Sequence, residues 1–147
     1  MNNNENEIGG KTLKLKDLKS LGLNVPEFTY ITSSQIQKII SSEGTIKKSE
    51  LNELVSNVVK SFKYETYAVR SSALIEDTKE ESFAGQFKTT INVKEESLPK
   101  AIQEVIIHAF EFLKGKIENF SIIIQKYIEP DMAGIAFTRN PSGGREM

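Results

Sequence analysis

The chain has 147 residues, of which 38% are hydrophobic and 27% are charged, and its formal net charge is −1. This composition indicates one ordinary globular domain, and the lack of a basic excess gives no support for nucleic acid or a membrane as a partner. Because the chain has no cysteine, disulfides and thiolate chemistry are excluded. Residues 1–7, MNNNENE, are polar and unlike a signal peptide, and no apolar run reaches the length of a membrane span. We therefore expect a disordered tail over 1–7 and a cytoplasmic location.

The first ordered segment is predicted to begin at a pair of glycines. Gly9 and Gly10 can adopt positive φ and bring the backbone close to a ligand, and Lys11 follows them directly. Taken alone, this segment is better interpreted as a flexible linker. A short helix is predicted over 12–21, with leucines on its inner side and lysines outside, and Gly22 ends it.

A strand and two helices are predicted next. The strand covers 25–31, and Thr32 caps a helix that closes at Gly44. Ser49 caps a second helix, whose apolar residues recur with a period of about 3.6 and so form a core-facing stripe. That stripe comprises Leu51, Leu54, Val55, Val58, Val59 and Phe62.

The stretch 66–86 carries the strongest indication of function. It begins as a strand whose alternation puts Tyr67, Val69 and Ser71 on one face and Ala68, Arg70 and Ser72 on the other. An acidic loop follows and ends near Gly85, where backbone amides can approach an anion while the planar fork of Arg70 pairs with it. This is the chemistry of phosphate binding. The commoner alternative is a surface ion pair of Arg70 with Glu76 or Asp77.

Another strand and a long helix are predicted after this loop. The buried side of the strand carries Phe87, Thr89, Ile91 and Val93. Ser97 caps the helix, Pro99 lies in its first turn and Gly115 ends it. The buried stripe of the helix comprises Leu98, Ala101, Ile102, Val105, Ile106, Ala109 and Leu113. His108 lies opposite the stripe and is predicted to be a solvated surface residue.

The last third of the chain is predicted to be a β-hairpin. Residues 120–128 are apolar on both faces, as expected of a central strand, and 129–131 form a turn. A return strand is predicted over 132–139. The order of all these elements predicts a mixed α/β domain with antiparallel strands.

Three segments in this order resemble one known family. They are GGK at 9–11 with VP at 25–26, AVRSSALIEDTKEESFAGQ at 68–86, and IIQKYI at 123–128 followed by GIAFTRNPSGG at 134–144. Together they resemble the N-terminal nucleotide-binding domain of phosphoenolpyruvate synthase and pyruvate phosphate dikinase. The resemblance implies an ATP-grasp-type α/β fold, of which 8–147 would be a truncated N-terminal part.

The resemblance also implies which residues bind ATP. Lys11 and Arg70 would neutralise the phosphates, and 122–128 would be the hinge whose backbone holds adenine, with Tyr127 and Ile128 as apolar flanks. The full implied set is Lys11, Arg70, Ser71, Ser72, Gly85, Gln86, Gln125, Lys126, Ile128 and Arg139. Without the resemblance, Gln125 is better interpreted as the rim of a plain core strand. No catalytic residue and no metal ligand are predicted in the sequence given.

The resemblance implies a function in ATP-dependent phosphoryl transfer. In such enzymes a phosphoryl group passes from ATP through a histidine to pyruvate, or to another acceptor in related proteins. Mg²⁺ is expected in the full enzyme, but the family's metal ligands lie beyond the last motif, so we expect them to be absent here. One departure from the family pattern is Lys88, where an acidic residue is common. The alternative function is a non-catalytic nucleotide-binding or regulatory remnant of the domain.

Overall fold

A computed structural model describes residues 7–73, 88–118 and 120–136 of the chain. The helices are α1 (Gly10–Ser20), α2 (Ser33–Ile39), α3 (Lys48–Ser61) and α4 (Leu98–Phe112), with a short 3-10 turn at Glu95–Ser97 before α4. The strands are β1 (Phe28–Ile31), β2 (Tyr67–Ala73), β3 (Thr89–Val93) and β4 (Phe120–Lys126). The predicted disordered tail falls largely outside the described residues. None of the helices in these ranges is long and apolar enough to cross a membrane.

The four strands form one antiparallel sheet in the order β1-β4-β2-β3. β4 lies at the centre, and its residues from Phe120 to Gln125 are buried. Such burial on both faces is what an apolar central strand requires. The predicted mixed α/β architecture with antiparallel strands is confirmed.

One face of the sheet packs against α2, α3 and α4 to form the hydrophobic core. Tyr67, Val69 and Ile122 are fully buried on this face. The stripe predicted on α4 is confirmed: its members from Leu98 to Ala109 are buried. Burying each large side chain of this kind contributes about 1.5–3 kcal/mol to folding.

His108 departs from its prediction. It is half buried rather than solvated, and its Nδ1 atom is buried without a hydrogen-bond partner among the described residues. The reason is its place on α4, since the helix packs against both α3 and the β2–β3 side of the sheet and leaves little of its circumference to solvent.

The first helix forms, and its predicted sides are confirmed only in part: Leu13 and Leu15 are half buried, and Lys14, Lys16 and Lys19 are exposed. Its only buried residue is Thr12, whereas Leu18 is 39% exposed. The Nζ atoms of Lys16 and Lys19 each lie 5.9 Å from the centroid of an aromatic ring of β1, those of Tyr30 and Phe28. Two lysines of the helix therefore lie against the rings of β1, because alkyl stems and cation–π contacts cover aromatic rings well.

Two predicted boundaries in the N-terminal half were wrong. Strand β1 begins at Phe28, three residues after the predicted start at 25. Helix α2 begins with the expected Thr32 cap, which forms a capping box with Gln35. It ends well before Gly44, because Ile40 turns into a bridge with Ile46. Gly44 instead supplies the positive φ of +82° in the turn between them.

Strand β3 contains an irregularity that the alternation did not predict. Tyr67 pairs with Val93, but Val69 pairs with Thr90, so β3 contains one residue more than β2 between these pairs. Asn92 adopts the left-handed conformation there, with φ of 54°. This is the geometry of a β-bulge, in which Asn is tolerated. As a result Val93 is buried while Ile91 is 58% exposed, so the prediction for Ile91 was wrong.

The predicted hairpin after β4 is also wrong. β4 pairs with β1 along one edge and with β2 along the other, so neither edge can accept a return strand. Accordingly the described residues after Lys126 contain no strand, and both Met132 and Ile135 are exposed. Pairing with strands distant in sequence replaced the local hairpin.

Candidate functional site

The candidate site lies on the face of the sheet opposite the core. The antiparallel register sets Tyr30, Ile123, Arg70 and Thr89 in one row across β1, β4, β2 and β3. The row beside it contains Ser72 paired with Ser121. Arg70 is half buried on this face, so the period-two prediction of its direction is confirmed.

Lys11 lies in the first turn of α1 and extends its side chain toward β2. Its Nζ donates to the Ser71 carbonyl oxygen at 3.4 Å. Although the residue as a whole is exposed, partial burial of the ammonium lowers the pKa of Lys11, and the nearby Arg70 guanidinium lowers it further. Two cationic groups therefore share one end of β2, where a bound anion would interact favourably with both.

The serine hydroxyls of β2 are both used within the protein. Ser71 is 1% exposed, and its Oγ donates to the Lys88 carbonyl oxygen at 3.3 Å. Ser72 is fully buried, and its Oγ accepts a hydrogen bond from the Thr12 backbone N–H at 3.1 Å. Their assignment as ATP-binding residues stays a prediction. The positions of these residues give them an evident role in holding α1 and β3 to the end of β2.

Gly9 is required for close packing, and the expected positive φ is absent. Its φ is −74°, an ordinary value for the residue preceding a helix. A Cβ built at this position would lie 2.0 Å from the carbonyl oxygen of Ser72. The backbone of Gly9 therefore approaches a strand of the protein, whereas the sequence had indicated an approach to a ligand.

Sequence reasoning missed Thr12 and Ser121, which contact each other beneath this turn. Their side-chain oxygens are 3.2 Å apart, and Ser121 Oγ also accepts from the Gly9 backbone N–H at 3.0 Å. A signal was present in the sequence: Ser121 is a polar residue within the run FSIII of an otherwise apolar strand. A fully buried hydroxyl in such a strand implies a specific polar partner.

The predicted adenine hinge lies at the other end of the sheet. Gln125 is 7% exposed, and its Nε2 donates to the Pro26 carbonyl oxygen at 3.3 Å. The Nζ of Lys126 lies 5.4 Å from the centroid of the Tyr64 ring, on the core side of the sheet and away from Arg70. The hinge side chains are thus engaged with the protein itself.

Two of the three backbone N–H groups at 126–128 also donate to backbone carbonyl oxygens. Lys126 N donates to Glu27 O at 2.8 Å, and Tyr127 N donates to Thr66 O at 3.0 Å. Within the part of the chain that is described, the N–H of Ile128 has no backbone partner, and Ile128 is 55% exposed. Counting only bonds to described residues, the segment leaves the Ile128 N–H as a backbone donor for a ligand.

Three residues of the implied set, Gly85, Gln86 and Arg139, lie outside the described residues. Across 7–73, 88–118 and 120–136 no group of three or more His, Cys, Asp or Glu side chains could hold a metal ion. The face around Lys11 and Arg70 is cationic, whereas Mg²⁺ requires oxygen ligands, chiefly carboxylates and phosphates. These residues therefore do not fit a magnesium site of their own.

A sequence profile of the pyruvate phosphate dikinase AMP/ATP-binding domain matches residues 46–147. The chain belongs to this family. The match includes Arg70 and the central strands, whereas Lys11 precedes it. The family predicted from the three motifs is confirmed, and residues 46–147 carry its AMP/ATP-binding domain.

Much longer relatives align over nearly the whole chain. The chain is 28% identical to an uncharacterized phosphotransferase (YvkC) of Bacillus subtilis over 90% of its length, and 27% identical to a probable phosphoenolpyruvate synthase of Methanothermobacter thermautotrophicus over 95%. It is 26% identical to the rifampicin phosphotransferase of Bacillus subtilis over 91%. The chain spans only 19%, 23% and 21% of these relatives.

Proposed function

We propose that the end of β2 and the first turn of α1 bind the phosphates of ATP, with Lys11 and Arg70 as the charged contacts. The observation that carries this proposal is the approach of the Lys11 ammonium to the end of β2 beside Arg70, where the pKa of Lys11 is lowered. The two like charges oppose each other, and this repulsion contributes to the lowered pKa of Lys11. A polyphosphate relieves that repulsion and receives charge-assisted hydrogen bonds.

The geometry of each group suits a part of this task. Arg70 offers a planar fork that matches two oxygens of one phosphate, and Lys11 acts as a compact point charge. Lys11 also stands in the first turn of an 11-residue helix, where the helix dipole favours negative charge. The predicted contacts of Ser71, Ser72, Gly85, Gln86 and Arg139 are part of the same proposal.

Adenine is assigned to the hinge after β4. The Ile128 N–H would donate to a ring nitrogen of the base, while the exposed side chain of Ile128 covers its face. Gln125 and Lys126 would border this position. Adenine recognition therefore depends on one backbone donor, because the neighbouring N–H groups are used in the sheet.

The activity of the whole protein is proposed from the family. A domain of ATP-grasp type over 8–147 would bind the ATP from which a phosphoryl group is transferred to a histidine and then to pyruvate or another acceptor. One relative is named as a rifampicin phosphotransferase and another as a probable phosphoenolpyruvate synthase, so the acceptor is not assigned. Mg²⁺ would reach ATP through ligands elsewhere in the protein. We retain a cytoplasmic location, without nucleic-acid or membrane partners, as a prediction.

Calorimetric titration tests the phosphate site directly. Lys11→Gln is compared with Lys16→Gln, a matched change on the same helix at a lysine that lies against Tyr30. Removing a charged hydrogen bond should weaken binding of ATP and of tripolyphosphate by about tenfold or more, and Lys16→Gln should leave both unchanged. Adenosine affinity should be the same in all three proteins. Equal affinities of wild type and Lys11→Gln for tripolyphosphate would contradict the proposal.

A further inference from the structure

We propose that Thr12 and Ser121 are positioning residues for Lys11, acting through a buried hydroxyl network that caps α1 from the sheet. The inference rests on the proposed function of Lys11 as a phosphate ligand. Neither Thr12 nor Ser121 would touch the nucleotide, because each is fully buried. Their effect would be to fix the helical turn from which the Lys11 side chain extends.

The N-terminus of α1 requires a cap that its own sequence does not supply. The first four N–H groups of a helix have no partner inside the helix, and a side chain at the preceding residue usually satisfies one of them. Here the preceding residue is Gly9, which has no side chain and makes no cap bond. The cap must therefore come from elsewhere in the fold.

The sheet provides the two bonds of a capping box. In the usual arrangement the N-cap side chain accepts from the third helical N–H, and the third side chain accepts from the N-cap N–H. In this protein Ser72 Oγ on β2 accepts from Thr12 N at 3.1 Å, and Ser121 Oγ on β4 accepts from Gly9 N at 3.0 Å. Two neighbouring strands thus hold one helix end.

The Ser121 hydroxyl links the two halves of this cap. It can donate its single proton to the Ser72 carbonyl oxygen at 3.3 Å, and Thr12 Oγ1 then donates to Ser121 Oγ across 3.2 Å. In this arrangement the Gly9 and Thr12 N–H groups and the hydroxyl protons of Thr12 and Ser121 each have an acceptor. If the Ser121 hydroxyl is removed, the buried Gly9 N–H and Thr12 O–H each lose their hydrogen bond to it.

Lys11 depends on this network because little else buries α1. Thr12 is the only buried residue of the helix, Leu13 and Leu15 are only half buried, and Leu18 is exposed. Farther along, the contacts are two lysines over aromatic rings and an exposed Lys19–Glu27 ion pair. Exposed contacts of this kind contribute little to stability. Lys11 lies between Gly9 and Thr12, the two residues that the cap holds.

The test compares substitutions that remove or keep the hydroxyl. Thr12→Val removes it at nearly constant shape, Thr12→Ser retains it, and Ser121→Ala removes the other hydroxyl. ATP and tripolyphosphate affinities are measured for each variant, alone and combined with Lys11→Gln, and urea unfolding verifies that each variant is folded. Thr12→Val provides the test even if Ser121→Ala does not fold.

We expect Thr12→Val and Ser121→Ala each to weaken tripolyphosphate binding by about three- to tenfold, and Thr12→Ser to retain most of the affinity. In the Lys11→Gln background neither change should weaken binding further, because positioning acts through Lys11. Equal losses in both backgrounds, or no loss at all, would overturn the inference while leaving the phosphate site intact. If Lys11→Gln itself binds tripolyphosphate like wild type, the proposed function and the inference that rests on it are both wrong. The Lys11→Gln variant alone thus distinguishes failure of the phosphate site from failure of the positioning role.

Discussion

Gly9 packs directly on the backbone of Ser72, and a Cβ at position 9 would lie 2.0 Å from the Ser72 carbonyl oxygen. Gly9→Ala should therefore push α1 away from β2, since backbone cannot yield as a side chain does. We expect the free energy of unfolding, measured with urea, to fall by about 1–3 kcal/mol, as for other overpacked sites.

Gly10→Ala is the matched control for this change. The nearest atom to a Cβ there is the Ala73 carbonyl oxygen at 3.7 Å, an ordinary contact. The residue is helical, so alanine should be neutral or stabilise by up to about 1 kcal/mol. Equal stabilities of the two variants would show that Gly9 is not in close contact with β2.

The effect of Lys11 on stability should depend on pH with a defined sign. Burial and Arg70 lower the pKa of Lys11 from 10.5, so folding disfavours the ammonium form. Below the lowered pKa, Lys11 is protonated in both the folded and the unfolded state, and the ammonium destabilises the folded state by the full amount. As pH rises toward 10.5, the unfolded state binds more protons than the folded state, so stability increases and this destabilisation disappears. At neutral pH we expect Lys11→Gln to unfold at higher urea concentration, by no more than about 1 kcal/mol because solvent screens the pair.

Above about pH 10.5 the urea midpoints of Lys11→Gln and wild type should converge. Tripolyphosphate should also raise the midpoint of wild type more than that of the variant, since ligand binding stabilises the folded state. A variant that is less stable than wild type at neutral pH would mean that Lys11 is mainly a structural residue.

Arg70→Lys should weaken ATP binding while changing stability little. Lysine keeps the charge but loses the two parallel hydrogen bonds of the guanidinium, so we expect affinity to fall by about tenfold in calorimetric titration. The side chain is half buried on the open face of the sheet, so the free energy of unfolding should change by less than about 1 kcal/mol. Unchanged ATP affinity combined with a large loss of stability would indicate a structural ion-pair residue.

Much of the core could be predicted because its signal is local. The stripes of α3 and α4 and the alternation of β2 follow directly from the periods of helix and strand. The position of β4 could not be predicted in the same way. Its neighbours β1 and β2 are far away in sequence, and this non-local pairing excluded the hairpin.

The orientation of α1 and the site beside it were harder to predict for the same reason. Leucine spacing predicted an inner leucine side, but Leu18 is exposed and two lysines of the helix lie over the aromatic rings of β1. Lys11 and Ser71 are 60 residues apart in sequence, and only resemblance to a family brought them together in advance. The supporting hydroxyls of Thr12 and Ser121 belong to no motif and required the three-dimensional structure.

An ion pair between Lys88, which precedes β3, and Glu104 of α4 should contribute to acid sensitivity. Lys88 Nζ lies 2.7 Å from Glu104 Oε2, and this hydrogen bond and the lysine charge lower the pKa of Glu104 below 4.5. For an acid with a lowered pKa, the stabilisation is present above the unfolded value and is lost as pH falls through the folded value. Glu104→Gln should therefore be less stable than wild type at neutral pH, and the difference should shrink below about pH 4.5 in thermal unfolding.

Glu111→Gln, an exposed change on the same helix, serves as the control for Glu104→Gln. An equal effect of both variants would rule out a specific contribution of the ion pair between Lys88 and Glu104.

Ile128→Pro should separate adenine recognition from phosphate recognition. Proline removes the one hinge N–H that has no backbone partner in the described region, and Ile128 lies beyond the end of β4 with 55% of its surface exposed. Folding should thus be little affected, while loss of one neutral hydrogen bond should weaken ATP binding by about two- to tenfold. Tripolyphosphate has no base, so its affinity should stay at the wild-type value. Ile128→Val keeps the N–H and most of the apolar surface and should bind ATP like wild type. If Ile128→Pro weakens the binding of tripolyphosphate as much as that of ATP, the substitution has disturbed the structure of the whole site, and adenine must be bound elsewhere.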